Sequence, residues 1–219
     1  MERAFGLDIP RTLEDVCRPD RLGLIVYDMQ AGIVAQLPDG AEITRRVLDV
    51  VHAARAGGFR VFHTRHMSLP KEVAGVSQLS MALAWQRVEH VEQVKAPFLR
   101  DSAPFELVPE LAPLPTEAIF DKITMSAFVG TPLDIAMRDC GLNAFAIIGI
   151  ALEIGIEPTV RHAMDLGYIP VVVTDACGSR DKEAANRVLA GLQFRGGSYQ
   201  TDVATISRVM RSGRLAAAR

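Results

Sequence analysis

Asp28 follows an apolar run, Leu22 to Tyr27, interrupted only by Gly23. A carboxyl group at the end of a buried strand is placed to take or give a proton, and the ends of parallel strands are where α/β sheets bind ligands. Two other places share this setting: the pair Asp121 and Lys122 after the short run 118–120, and the loop 149–158 after the very apolar run 145–150. Each alone has an ordinary reading, since a charged residue after a strand usually starts a solvated loop. A fold that gathers all three at one sheet edge would make a carboxylate and an ammonium available for acid and base chemistry.

Other reactive side chains fit less well. Cys17, Cys140 and Cys177 are too few and scattered for a disulfide framework or a Cys-x-x-Cys site, and read as small reduced thiols. His63 and His66 lie close together on a strand, without the neighbouring ligands that a metal pair needs, so no metal is expected. His162 falls inside a helix and reads as a packed or solvated residue. The glycines of 149–155 superficially suggest a phosphate loop. Ile156 stands where a lysine should follow, which argues against nucleotide binding.

The elements that must position these residues alternate. A strand at 22–27 is followed by helical spacing of Ile43, Val47, Val50, Val51 and Ala54, stopping at Gly57 and Gly58, and then by a strand at 60–63. This is a βαβ unit. Between residues 67 and 115 five prolines break the pattern, and such insertions often wall binding sites. Regularity returns with a strand at 118–120. Thr131 and Pro132 start a helix that ends near Gly141, and a strand at 145–150 follows. A helix from about Glu157 or Pro158, a strand at 169–173 and a helix at 182–192 complete the regular pattern, leaving a tail without assignment. The spacing predicts a single domain spanning 1–219, core about 20–210: an α/β, doubly wound, Rossmann-like sheet of about six mainly parallel strands flanked by helices.

Composition agrees with one globular domain: 219 residues, 49% hydrophobic and 23% charged. A net charge of −2 and the lack of basic, aromatic-interleaved runs argue against nucleic acid and for a small-molecule partner. No apolar run reaches the roughly 18 residues needed to span a bilayer, and the first ten residues lack a signal-peptide core. A cytoplasmic protein without a membrane partner is the expectation.

The segments LGLIVYDMQ, FDKITMSAF and IIGIALEIGIEPTVRHAMDLGYIPVVVTDAC, in this order, resemble the isochorismatase-like cysteine hydrolase superfamily over about residues 22–177. The resemblance implies an acid/base role for Asp28, a catalytic role for Lys122 and a cis Ile150-Ala151 bond shaping the oxyanion region. It also implies a nucleophilic cysteine four residues after Ala151, where this chain has Gly155. Glycine cannot attack a carbonyl, so the thioester route to amide hydrolysis is closed.

Isochorismatases proper are similar in pairing Asp and Lys with glycine. Protonating the methylene carbon of an enolpyruvyl ether generates an oxocarbenium ion that water captures, which requires a general acid and no thiolate. Asp28 would be that acid, its proton favoured by partial burial and opposed by the ammonium of Lys122. The expectation is a cofactor-independent hydrolase of an enol ether such as isochorismate. The alternatives are a catalytically silent binding homologue and an amidohydrolase whose cysteine has been replaced by glycine. Gln78, Trp85 and Arg87, in the irregular region, are candidates for binding a carboxylated ring, Arg87 through a bidentate pair. Glu153 and Glu157 flank Gly155 as further acidic candidates, with Glu157 also a natural helix-start residue. The resemblance further implies a homodimer or homotetramer.

Overall fold

The structure, a computed structural model, describes residues 1–217, and the side chains of residues 1–212. The chain opens with a hairpin, β1 (Glu2–Ala4) and β2 (Leu7–Ile9), turned by Phe5 and Gly6, both at positive φ. Two such residues form a turn matched to strand twist. A short helix α1 (Leu13–Val16) follows, held by a capping box between Thr12 and Asp15.

The central sheet has six parallel strands. In chain order they are β3 (Leu22–Tyr27), β4 (Arg60–His66), β5 (Ala118–Lys122), β6 (Ala144–Ile150), β7 (Ile169–Gly178) and β8 (Tyr199–Thr201). In space the order is β5-β4-β3-β6-β7-β8. The chain thus builds outward from β3 to β5, returns to the other side of β3, and builds outward again. The reversal between β3 and β6 is the switch point at which such sheets open a crevice beyond their carboxyl ends.

The helices are α2 (Ala31–Val34), α3 (Gly40–Gly57), α4 (Val76–Gln86), α5 (Leu133–Asp139), α6 (Glu157–Asp165), α7 (Lys182–Arg195) and α8 (Val203–Ala217). They cover both faces, because alternate residues of each central strand point opposite ways. Leu24 and Val26 of β3 join Ala146 and Ile148 of β6 in a core beneath α3 and α8. Ile25 and Tyr27 join Phe145 and Ile147 in a second core beneath α5, α6 and α7. Continuous burial of β3 and β6 explains their unbroken apolar sequences.

Several boundaries differ from the sequence pattern. Strand β4 runs three residues past His63, and β5 continues through Asp121 and Lys122, because Thr64 and Lys122 find a buried partner in Asp28 and Arg65 pairs with Asp121 in the folded sheet. Strand β7 reaches Gly178, beyond the Thr174-Asp175 stop, through an irregularity opposite residues 147–149 of β6. The N-terminal hairpin, β8 and α8 went without assignment, the first two being only three residues per strand.

Candidate functional site

Asp28 is the first residue beyond β3, with φ 47, and is 4% exposed. The chain turns there, and Oδ1 accepts a 2.6 Å hydrogen bond from the Thr64 hydroxyl of β4. Oδ2 accepts another, also 2.6 Å, from Nζ of Lys122 at the end of β5. Registration produces this convergence: His66 of β4 pairs with Lys122, and Val26 of β3 pairs with His63. Lys122 Nζ also donates to the Thr124 carbonyl at 3.2 Å and lies 4.3 Å from the Tyr27 ring centroid, a cation–π contact. Burial pushes the Lys122 ammonium below the ordinary lysine range, and the Asp28 charge opposes that push.

From β6 comes the other wall. Gly149, at φ 122, passes so close to the Tyr27 backbone that any β-carbon would overlap the Tyr27 carbonyl. The Ile150-Ala151 bond is cis, and a turn of π-helix, Leu152–Ile156, leads into α6. The amides of Gly155 and Ile156 both donate to the Ala151 carbonyl, at 3.0 and 3.1 Å. The Gly155 amide is therefore engaged within the turn. Above Gly155 lies Tyr27, 1% exposed, its hydroxyl bonded to the Met125 carbonyl. A β-carbon on residue 155 would overlap the phenol oxygen and the ring carbons beside it.

These residues border a cleft of about 520 Å³ at the switch point. Asp28, Ile150, Ala151 and Gly155 line it together with Trp85 and Arg87. Lys122 stands behind Asp28, off the cleft wall. Gln78 lines an adjoining hollow of about 210 Å³ that shares His66, Trp85 and Phe98 with the main cleft. Glu157 is placed elsewhere: it starts α6 and its carboxylate pairs with Arg161 one turn on, at 2.8 Å, away from the cleft. None of the three cysteines reaches the cleft. Cys177 is buried against the Ile147 carbonyl, burial pushes the Cys17 thiol up to about 12, and Cys140 caps α5.

Sequence reasoning missed Thr64, Tyr27 and Arg180, and weighed His66 only as a metal ligand. Thr64 stands between the two histidines that drew attention. His66 is a wall residue whose ring burial holds down to about 4, so it is neutral at pH 7. Tyr27 is the one aromatic in an otherwise aliphatic strand, a signal that was available. Arg180 lines the cleft from the β7–α7 connection, displaced from view by the early stop assigned to β7. His63 points away from the cleft, Nε2 meeting Glu117 at 2.9 Å. Among the described residues, no group of three or more His, Cys, Asp or Glu is arranged to hold a metal ion, and no helix is long and apolar enough to cross a membrane.

Residues 23–205 match the isochorismatase domain, and the chain belongs to that family. It is 34% identical over 96 residues to the uncharacterized isochorismatase family protein YwoC of Bacillus subtilis, covering 44% of this chain and 51% of that protein. It is 25% identical over 174 residues to the ureidoacrylate amidohydrolase RutB of Acinetobacter baylyi, covering 73% of this chain and 71% of RutB. Among solved structures, a cysteine hydrolase from Pseudomonas syringae pv. phaseolicola shares the fold with a TM-score of 0.77 and 22% identity, over 90% of this chain and 96% of that one.

Proposed function

We propose that this isochorismatase-family hydrolase works without a cysteine nucleophile, with Gly155 at the nucleophile position, and cleaves an enol ether of a small carboxylated molecule such as isochorismate. The observation that carries the reading is the combination on the cleft floor: an Asp28–Lys122 pair, and beside it a glycine whose side-chain volume is filled by the Tyr27 phenol. A thiol at that position has no room, and no other thiol borders the cleft.

In the proposed reaction Lys122 is the proton reservoir. Its ammonium, made a readier proton donor by burial while the Asp28 charge opposes, passes a proton to Asp28 Oδ2 across the 2.6 Å contact. Asp28 delivers it to the methylene carbon of the enol ether, whose π electrons form the new C–H bond. The ether carbon becomes an oxocarbenium ion. Water adds to it and returns a proton to the pair, and the hemiketal C–O bond breaks, with the proton going to the departing alcohol and a ketone left behind. Thr64 keeps the Asp28 carboxyl oriented throughout. Arg87 binds a substrate carboxylate, Trp85 covers the ring, and Gln78 reaches the substrate from the adjoining hollow.

The similarity to RutB, an amidohydrolase, favours a second reading, an amide hydrolase whose cysteine was replaced. Incubation with isochorismate separates the two: release of pyruvate, reduced at least about 1,000-fold by Asp28→Asn, is the outcome expected of a lost proton donor of this importance. Failure of the wild-type protein to turn over isochorismate or any other vinyl ether would sink the ether reading.

A further inference from the structure

The cleft contains a carboxyl group that the reaction above does not use. Glu153 lies in the π-turn on the cleft wall, and its Oε2 is buried without a hydrogen-bond partner among the described residues. Buried carboxyl oxygens are almost always paired, because leaving one unpaired forfeits its hydration with nothing in return. On the same cleft stand Arg87 and Arg180, whose guanidinium groups make no ion pair or hydrogen bond among the described residues. Elsewhere the chain's arginines commonly find carboxylates, as Arg55, Arg65 and Arg161 do. Here two cations and one carboxyl group share a cleft and remain apart.

We infer that Glu153 and Arg180 form a ligand-selecting subsite: Arg180 takes a carboxylate of the bound molecule, and Glu153 accepts a hydrogen bond from an O–H or N–H group elsewhere on the same molecule. The inference rests on the cleft being the substrate site, and it narrows the substrate class to small acids that also carry a donor. An acid without a donor leaves Oε2 unpaired, and one whose donor is capped by a methyl group meets it with an apolar surface. Both lose the bond that the subsite is built to make. Discrimination of this kind is large because the unpaired partner stays buried.

Trp85 is the only tryptophan and lines the cleft, so its fluorescence reports binding without turnover. The probes are ring-hydroxylated cyclohexanecarboxylates, their methyl ethers and the corresponding amino acids, with calorimetry as a second readout. For the wild-type protein, at least one hydroxy acid should bind about 10-fold or more tighter than its methyl ether, the size expected of a hydrogen bond to a charged group. Glu153→Ala should erase that preference. Glu153→Gln, which preserves the packing, should reduce it, and should reduce an amino-acid preference further because the opposing charge is gone. Arg180→Gln should weaken hydroxy acid and ether about equally. A stronger response to the amino acids identifies the donor as N–H, and a stronger response to the hydroxy acids identifies it as O–H. Equal binding of every hydroxy acid and its ether, or an undiminished preference in Glu153→Ala, would overturn the inference. Because nothing in these measurements requires hydrolysis, a protein that discriminates but releases no pyruvate would retain this subsite while losing the enol-ether reading.

Discussion

Tyr27 and Gly155 are best understood as a single unit. The phenol occupies the volume a side chain at 155 would require, is fixed through its hydroxyl to the Met125 carbonyl, and lies beneath the Lys122 ammonium. Burial raises the Tyr27 phenol well above its ordinary value, so it stays neutral and can act as a donor. This coupling makes a prediction about restoring a thiol. Gly155→Cys alone forces the new β-carbon into an anchored ring, and should destabilise the protein by about 1–3 kcal/mol, as overpacking does. Combining it with Tyr27→Val vacates the space. Urea denaturation of the two single variants and the double variant should therefore show strong non-additivity, with the double variant more stable than the sum of the single effects. Additive losses would mean that the two positions do not share the volume.

At the scale of elements, what matters is how α3 is joined to the sheet next to the cleft. Glu117, just before β5, accepts hydrogen bonds from Arg55 Nε and Nη2 at 2.7 and 3.0 Å, meets His63 Nε2 at 2.9 Å, and accepts from the Leu114 amide at 3.1 Å. It ties α3, β4 and the approach to β5 together, and β4 and β5 carry Thr64 and Lys122. Glu117→Ala leaves a partly buried guanidinium and a fully buried imidazole without their acceptor, and should cost roughly 3 kcal/mol in chemical denaturation, the scale for removing one partner of a buried ion pair. Glu117→Gln, which can still accept from both, should cost less. Such long-range polar joints are what single-chain periodicity does not reveal. Strands β3 and β6 were legible because burial on both faces leaves an unbroken apolar sequence, and α3 because its apolar stripe ends in two glycines. Strands β4 and β5 were cut short because their last residues are polar, and β7 because Thr174 and Asp175 interrupt its apolar run before Ala176, Cys177 and Gly178. Asp28 and Lys122 stood out by their place after apolar runs and by motif resemblance, and the sheet brings their side chains into contact. Thr64, Tyr27 and Glu117 act through contacts between elements far apart in the chain, Arg180 enters the cleft from a connection, and Arg161, four residues after Glu157 on α6, stands at the spacing at which a helix pairs an arginine with a carboxylate.

For the whole molecule, the two histidines of β4, His63 buried and His66 partly buried at the cleft wall, set how stability depends on pH between 6.5 and 5. Burial, followed by the Lys122 ammonium, holds His66 down to about 4 from an ordinary 6.5, the Asp28 charge opposing. His63 is lowered too, by burial foremost, with Glu117 pulling the other way. In the unfolded chain both titrate near 6.5, so over this range the unfolded state binds more protons than the folded state. Stability must then be complete above pH 6.5 and decline as the pH falls toward 4. At about 1.4 kcal/mol per pKa unit, His66 accounts for a loss on the order of 3 kcal/mol at most across that window. Glu117, which burial pushes up but its Arg55 and His63 partners bring down below the ordinary 4.5, adds its own loss at and below that value, beneath the pH 6.5 to 5 range in which the histidines are followed. Melting temperatures at constant ionic strength should accordingly fall between pH 6.5 and 5 in the wild-type protein, and fall less in His66→Gln, which has no proton to gain. The remaining slope in that variant belongs to His63, and disappears only if its imidazole is replaced as well. Identical slopes for wild type and His66→Gln would show that the His66 ring takes up its proton as readily in the folded cleft as in water, in which case it would be charged, not neutral, beside Asp28 in mildly acidic solution.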